Sequence, residues 1–381
     1  MSMPFAVMGA CGILSLGAYI ATLCPTVYVE GSGELIGAAY YLGTPHPTGY
    51  PLFALGARLL ASLMPLGSPA LQINAAAALF AAAGSSALAW LLCTRGVQPL
   101  VAASAGLCLA FSHTYWSQAI IAEVYGLSMM LWILAMGWGL RASERHSLRA
   151  LLMAAWCMGL GLTAHLNQTL LVPGLLVLWA WRWPGLFVRG RYLLAGLATA
   201  GAAYSLVLYL PLRNGLGPGF HWGDLATAHA LWDHLTGATY RSAFFSLPVE
   251  GMALNAQRWA EHVGSEWHVL VLPIVVWGGI AAWRRDRSLF VMTGSGLLAN
   301  LIIALNYHRD PNGIGVFFLV SYVCLALWLG LGLDDMARRF SRWGGRYIGV
   351  VVAAGAFFWQ YGQVDLSENR VAERYGLDIL E

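Results

Sequence analysis

Apolar runs of about 20 residues recur along this chain, and that repetition limits the fold more than any other feature. A hydrocarbon core near 30 Å thick needs a helical run of that length to cross it. In such a solvent every backbone polar group must be satisfied inside its own segment, which selects helices over open sheets. Of the 381 residues, 59% are hydrophobic and only 10% are charged, with a mean hydropathy of +0.63. Soluble domains carry roughly 25% charge. A water-soluble enzyme, a disordered protein and a nucleic-acid binder are therefore excluded. The expected class is an all-α polytopic membrane protein.

About eleven transmembrane helices are expected, near 5–24, 70–94, 98–114, 122–140, 150–165, 169–182, 192–212, 268–283, 289–306, 316–333 and 347–363. Residues 1–363 form the expected transmembrane domain, with outer loops 25–69 and 213–267, and 364–381 form an outer tail. The first run lacks a basic leader and a cleavage site, so it reads as a span and not as a signal peptide. Six cysteines sit singly in apolar runs without disulfide or metal spacing.

Orientation follows from arginine. All 21 basic residues are Arg. One set of connecting segments holds 14 of them against four acids, Glu144, Asp286, Asp334 and Asp335; the other holds seven Arg and 14 acids. The positive-inside rule places the Arg-rich set in the cytoplasm. The N-terminus is then inside, the C-terminus outside, and nine of the ten His lie on the outer side. Chemistry is expected there, at the periplasmic or extracellular face of a bacterial inner membrane.

The outer segments carry the candidate groups. Glu30 and Glu34 follow the first span in a Gly-rich loop, where a carboxylate could serve as general base. Residues 44–51, Thr-Pro-His-Pro-Thr-Gly-Tyr-Pro, hold three prolines that stiffen the backbone around His46 and Tyr50. Two amphipathic interfacial helices are expected on either side of this turn. Trp116, Glu123 and Tyr125 mark the outer mouth of two spans; Glu123 there serves equally as a partner for a helix dipole. His165 lies between two short apolar runs, suited either to a cavity wall or to a hydrogen-bonded hairpin tip. Arg213, Arg241 and Arg309 are isolated outer arginines of the kind that bind lipid phosphate with a planar fork. His308 and Asp310 are the nearest approach to a divalent-ion pair, and two ligands do not make a site. No nucleotide loop or hydrolase motif is present.

The stretch Glu30-Gly31-Ser32-Gly33-Glu34-Leu35-Ile36, followed by Thr44-Pro45-His46-Pro47-Thr48-Gly49-Tyr50-Pro51-Leu52, resembles the first outer loop of a GT-C-type polytopic membrane glycosyltransferase family. That family is related to the transmembrane protein O-mannosyltransferase and includes bacterial members. The resemblance continues through Trp116 with Glu123-Val124-Tyr125, Pro211-Leu212-Arg213, His221-Trp222-Gly223-Asp224, Tyr240-Arg241 and Asn306-Tyr307 with Asp310. It implies inverting transfer of a sugar, mannose or another hexose, from a polyprenyl-phosphate donor to a hydroxyl acceptor such as protein Ser or Thr, on the outer face. Glu34 inherits the role of essential acid. The family's usual Asp before Ser-Gly-Glu is replaced here by Gly31, so Glu30 is the second candidate base. His46, Tyr50, Trp116, Glu123, Tyr125, His165 and Trp222 are expected to bind substrate, and Arg213, Arg241 and Arg309 the phosphate. No cofactor or metal is required by this reading. The large outer C-terminal domain of many relatives is expected to be missing, and a partner subunit would then replace it. Two other classes fit the same composition: a flippase for a polyprenyl lipid, and a non-catalytic subunit of a glycan-assembly complex. Membrane lipids are partners in every case, and nucleic acid in none.

Overall fold

The computed structural model describes residues 3–29, 31–64, 67–188, 190–310 and 313–380. Among the described residues nineteen α-helices follow one another and no strand forms. The chain opens with α1 (Met3–Ala21), on the first expected span, and the first outer region then contains α2 (Ser32–Tyr40) and α3 (Pro51–Leu63). The middle of the chain contains α4 (Pro69–Thr94), α5 (Pro99–Ala110), α6 (His113–Ala119), α7 (Tyr125–Arg145), α8 (Leu148–Leu162) and α9 (Val172–Arg182). Next come α10 (Gly185–Val188), α11 (Gly190–Tyr204), α12 (Tyr209–Asn214), α13 (Ala228–Leu235) and α14 (Val249–Trp267). The last five are α15 (Leu272–Arg285), α16 (Arg287–Leu305), α17 (Leu319–Arg339), α18 (Ile348–Val364) and α19 (Val371–Leu380).

Starts and stops follow local chemistry. Proline occupies the first turn of α3, α4, α5, α9 and α15, where its missing N–H costs nothing. Side chains of Ser68, Ser147, Thr227 and Asp286 accept a backbone N–H at the starts of α4, α8, α13 and α16.

Each expected apolar span falls on a helix, but not every one is a full-length rod. By length and composition four helices can cross a membrane: Pro69–Thr94, Gly190–Asn214, Arg287–Leu305 and Gly315–Arg339. A fifth candidate is a pair, Val249–Trp267 and Val269–Arg285, bent by 89° at His268. Tight 3₁₀ turns interrupt these runs: 205–208 and 315–318 lie within two of the four, 269–271 follows the bend at His268, and 166–171 precedes and shortens α9. Residues 249–267, expected within the outer loop 213–267, form the 19-residue α14.

The buried core joins α1, α4, α5, α7, α16 and α17. The two ends of this bundle differ. Tyr125 begins α7 and Glu144 stands near its end, about 30 Å further along. At the Glu144 end, Arg95 donates to both oxygens of Glu144 and to Asp286, tying α4 to α7 and to the α15–α16 turn. Nearby, Arg285 and Arg338 share Asp334, and Arg339 pairs with Asp335. All these arginines belong to the set expected in the cytoplasm. The outer loops gather at the other end.

Candidate active site

The site begins with the turn between α2 and α3. Glu34, in the first turn of α2, accepts hydrogen bonds through one oxygen from the backbone N–H of His46 and from His46 Nδ1, the latter at 2.8 Å. The far nitrogen, Nε2, lies 3.1 Å from the Tyr50 hydroxyl. That hydroxyl is also 3.1 Å from the Pro47 carbonyl. It has one proton, so it donates to one of these acceptors at a time. A carboxylate bound at Nδ1 fixes the imidazole orientation and leaves Nε2 free to take a proton.

Backbone fit makes this turn possible. Gly49 has φ +93°, and a Cβ there would stand 2.5 Å from Leu210. A Cβ on Gly43 would meet the Phe220 carbonyl oxygen at 1.9 Å. The loop after α12 is thereby pressed onto the turn. Trp222 N donates to Thr44 O at 2.8 Å, Tyr209 donates to Gly43 O, and Arg213 donates to the carbonyls of Leu42 and Tyr41.

Aromatic rings extend the site. His165 lies parallel to Tyr50, with centroids 5.9 Å apart, and 5.3 Å from Tyr125. Trp222 stands edge-on to His46 at 6.1 Å. These groups open onto a cavity of about 310 Å³ whose wall includes His46, Tyr50, Tyr125, His165, Tyr240, Tyr307 and Arg309. That volume is at the lower end of the range for small-ligand clefts, about 300–1,000 Å³. Arg309 lies over the Phe317 ring at 5.3 Å. Two short pairings brace the far wall. Phe245 N donates to Asn306 O, and His308 N donates to Ala243 O, both at 2.9 Å.

The expected site residues therefore divide. His46, Tyr50, Tyr125, His165 and Arg309 line one cavity, with Glu34 directly behind His46 and Trp222 beside it. Glu123 is close: its Oε1 lies 3.7 Å from where a Cβ on Gly31 would stand. Arg241 is exposed and bonded to the Thr236 hydroxyl at 2.6 Å, one residue from the cavity wall at Tyr240. Two expectations are corrected by position. Trp116 is wholly buried in the core, donates to the Thr22 hydroxyl and stacks on Phe357, so it is not a cavity residue. Arg213 holds carbonyls at the end of α2 and does not line the cavity. Glu30 lies outside the described residues. Among the described residues no three His, Cys, Asp or Glu side chains converge as a metal site requires.

Sequence reasoning assigned no role to His234, Tyr240 or Tyr307. His234, on α13, is 5% exposed, and its Nε2 has no hydrogen-bond partner among the described residues. Burial, reinforced by the neighbouring His46, pushes its pKa down to about 4, against the opposing pull of the Pro45 backbone and Glu34. The imidazole is neutral at physiological pH. The sequence signal for His234 was the concentration of His and aromatic residues in 220–234, while Tyr240 and Tyr307 stand in stretches that carry the family resemblance.

Comparison with known proteins bears on this arrangement. A family model described as the protein O-mannosyl-transferase TMEM260 N-terminal domain matches residues 31–184. The mouse protein O-mannosyl-transferase TMEM260 is 28% identical over 362 residues, covering 88% of this chain and 51% of the mouse protein. The chain thus spans about half the length of that curated relative. Among solved structures, the crystal structure of ArnT from Cupriavidus metallidurans bound to undecaprenyl phosphate matches with a TM-score of 0.60. The match covers 93% of this chain and 64% of that one at 15% identity.

Proposed function

We propose, from the similarity of this multi-pass membrane chain to the protein O-mannosyl-transferase TMEM260 and from the fold it shares with ArnT, that it transfers a hexose from a polyprenyl-phosphate carrier to a hydroxyl acceptor. The acceptor class is protein Ser or Thr, and the reaction runs at the outer face of a bacterial inner membrane. The observation that carries this reading is one aromatic cavity lined both by His46, which Glu34 holds from behind, and by Arg309.

In the proposed step the acceptor oxygen attacks the anomeric carbon from the face opposite the phosphate. Its proton passes to His46 Nε2, while Glu34 on Nδ1 stabilises the imidazolium that forms. The bond from the anomeric carbon to the phosphate oxygen breaks, its electron pair stays on that oxygen, and the sugar configuration inverts. Arg309 meets the charge that develops on the departing phosphate, with Arg241 at the rim. Tyr50, Tyr125, His165 and Trp222 supply ring faces and polar edges for the sugar. Glu123, beside Gly31, provides a second carboxylate near His46.

The test is transfer of radiolabelled hexose from a polyprenyl-phosphate hexose to a Ser/Thr peptide in membranes containing the protein. Glu34→Gln and His46→Ala are each expected to lower the rate by about 10²-fold or more, the usual contribution of a positioned base. Full activity in Glu34→Gln would remove the base assignment. Absence of transfer by the unaltered chain with every polyprenyl-phosphate hexose tried would overturn the activity itself.

A further inference from the structure

A second cavity, of about 660 Å³, lies at the end of the bundle remote from His46. Its wall includes Arg95, Glu144, Trp181, Arg182, Arg285, Asp286 and Arg287. Four guanidiniums face two carboxylates, a formal charge of +2. Both carboxylates are already engaged. Glu144 receives two hydrogen bonds from Arg95, while Asp286 receives one from Arg95 and one from the Leu289 N–H. Arg285 is paired with Asp334 and Asp335. Arg182 and Arg287 have no ion pair among the described residues and are exposed.

The aromatic rings fix the level of this cavity in the bilayer. Arg182 lies over Trp181 and Arg287 over Trp283, at 5.3 and 5.4 Å, and both indoles are about half exposed. Arg141 over Trp138 and Arg339 over Trp277 repeat the pairing at the same end. Amphipathic indoles paired with guanidiniums mark the boundary between hydrocarbon and headgroups. The cavity mouth therefore sits at phosphate depth, with two guanidiniums that no carboxylate pairs among the described residues.

We propose that this cavity is a binding site for the phosphate headgroup of an anionic glycerophospholipid in the leaflet opposite the catalytic cavity. Arg182 and Arg287 bind the phosphate, and Arg95 with its two acids forms a fixed floor. Basic pockets between transmembrane helices on this side of a membrane suit such headgroups.

Native mass spectrometry of the protein released from nanodiscs of equal phosphatidylcholine and phosphatidylglycerol reads the site directly. The unaltered protein is expected to retain phosphatidylglycerol selectively. Arg182→Ala and Arg287→Ala are each expected to weaken retention roughly five-fold, and Arg346→Ala, elsewhere at the same end, to leave it unchanged. Equal retention of the two lipids, or an equal loss in Arg346→Ala, overturns the proposal. Displacement of the lipid by millimolar inorganic phosphate assigns the site to free phosphate and overturns the lipid assignment.

Discussion

His46 is held by Glu34 at its backbone N–H and at Nδ1, so its ring has little rotational freedom left. Part of this was legible: prolines and glycines around a His announce a rigid turn, while Glu34 upstream reads as a base in its own right. The exact partner atom was not, since Glu34 reaches His46 only because α2 turns back on the loop. His234 was invisible because it meets this turn from 188 residues further along. Its burial makes a prediction. In the fold its pKa lies near 4, against an ordinary value of 6.5. Below pH 6.5 the unfolded chain takes up a proton that the fold refuses. Stability from this residue is thus complete above pH 6.5 and declines as pH falls toward 4, by about 2–3 kcal/mol. Thermal unfolding in detergent between pH 7 and 4 checks this, and His234→Gln should lose less over the same interval. Trp116 illustrates the opposite difficulty. A Trp at a helix mouth has the same sequence context whether it faces sugar or core, and the Thr22 hydroxyl that claims it is 94 residues away.

Helix pairs in this bundle meet through small residues. A Cβ on Gly278 of α15 would stand 1.7 Å from the Trp328 carbonyl oxygen of α17, and one on Gly332 of α17 would stand 2.3 Å from Ile274 O. Such close backbone approach is how helices gain packing in lipid, where the hydrophobic effect between them is absent. Gly278→Leu should force α15 from α17 and destabilise the bundle by about 1–3 kcal/mol, the usual cost of overpacking. A fall in the detergent unfolding temperature reads it; unchanged stability would show that the two helices separate freely. At this scale sequence was most informative, because apolar runs and first-turn prolines locate helices directly. It could not show which runs break. The 89° bend at His268 depends on a positive φ of 72° at a residue with no glycine to announce it.

Across the whole molecule, charge separates the two ends. If the Arg-rich end faces the cytoplasm, a cysteine at Ser341 should react with a membrane-impermeant maleimide only from inside, and one at Ser246 only from outside. Five of the six native cysteines are buried and Cys93 is half-buried, so background labelling should be low. Labelling of both sites from one side would reverse or refute the topology. The cavity behind His46, for its part, draws His46 and Tyr50 from near the beginning, His165 from the middle, and Tyr240, Tyr307 and Arg309 from the last 150 residues. A fragment ending near residue 184 would retain the Glu34–His46 pair yet lose the part of the cavity wall that Tyr240, Tyr307 and Arg309 supply. Halves of this chain should therefore be inert singly and regain function only when co-expressed, as two leaves of one hinge.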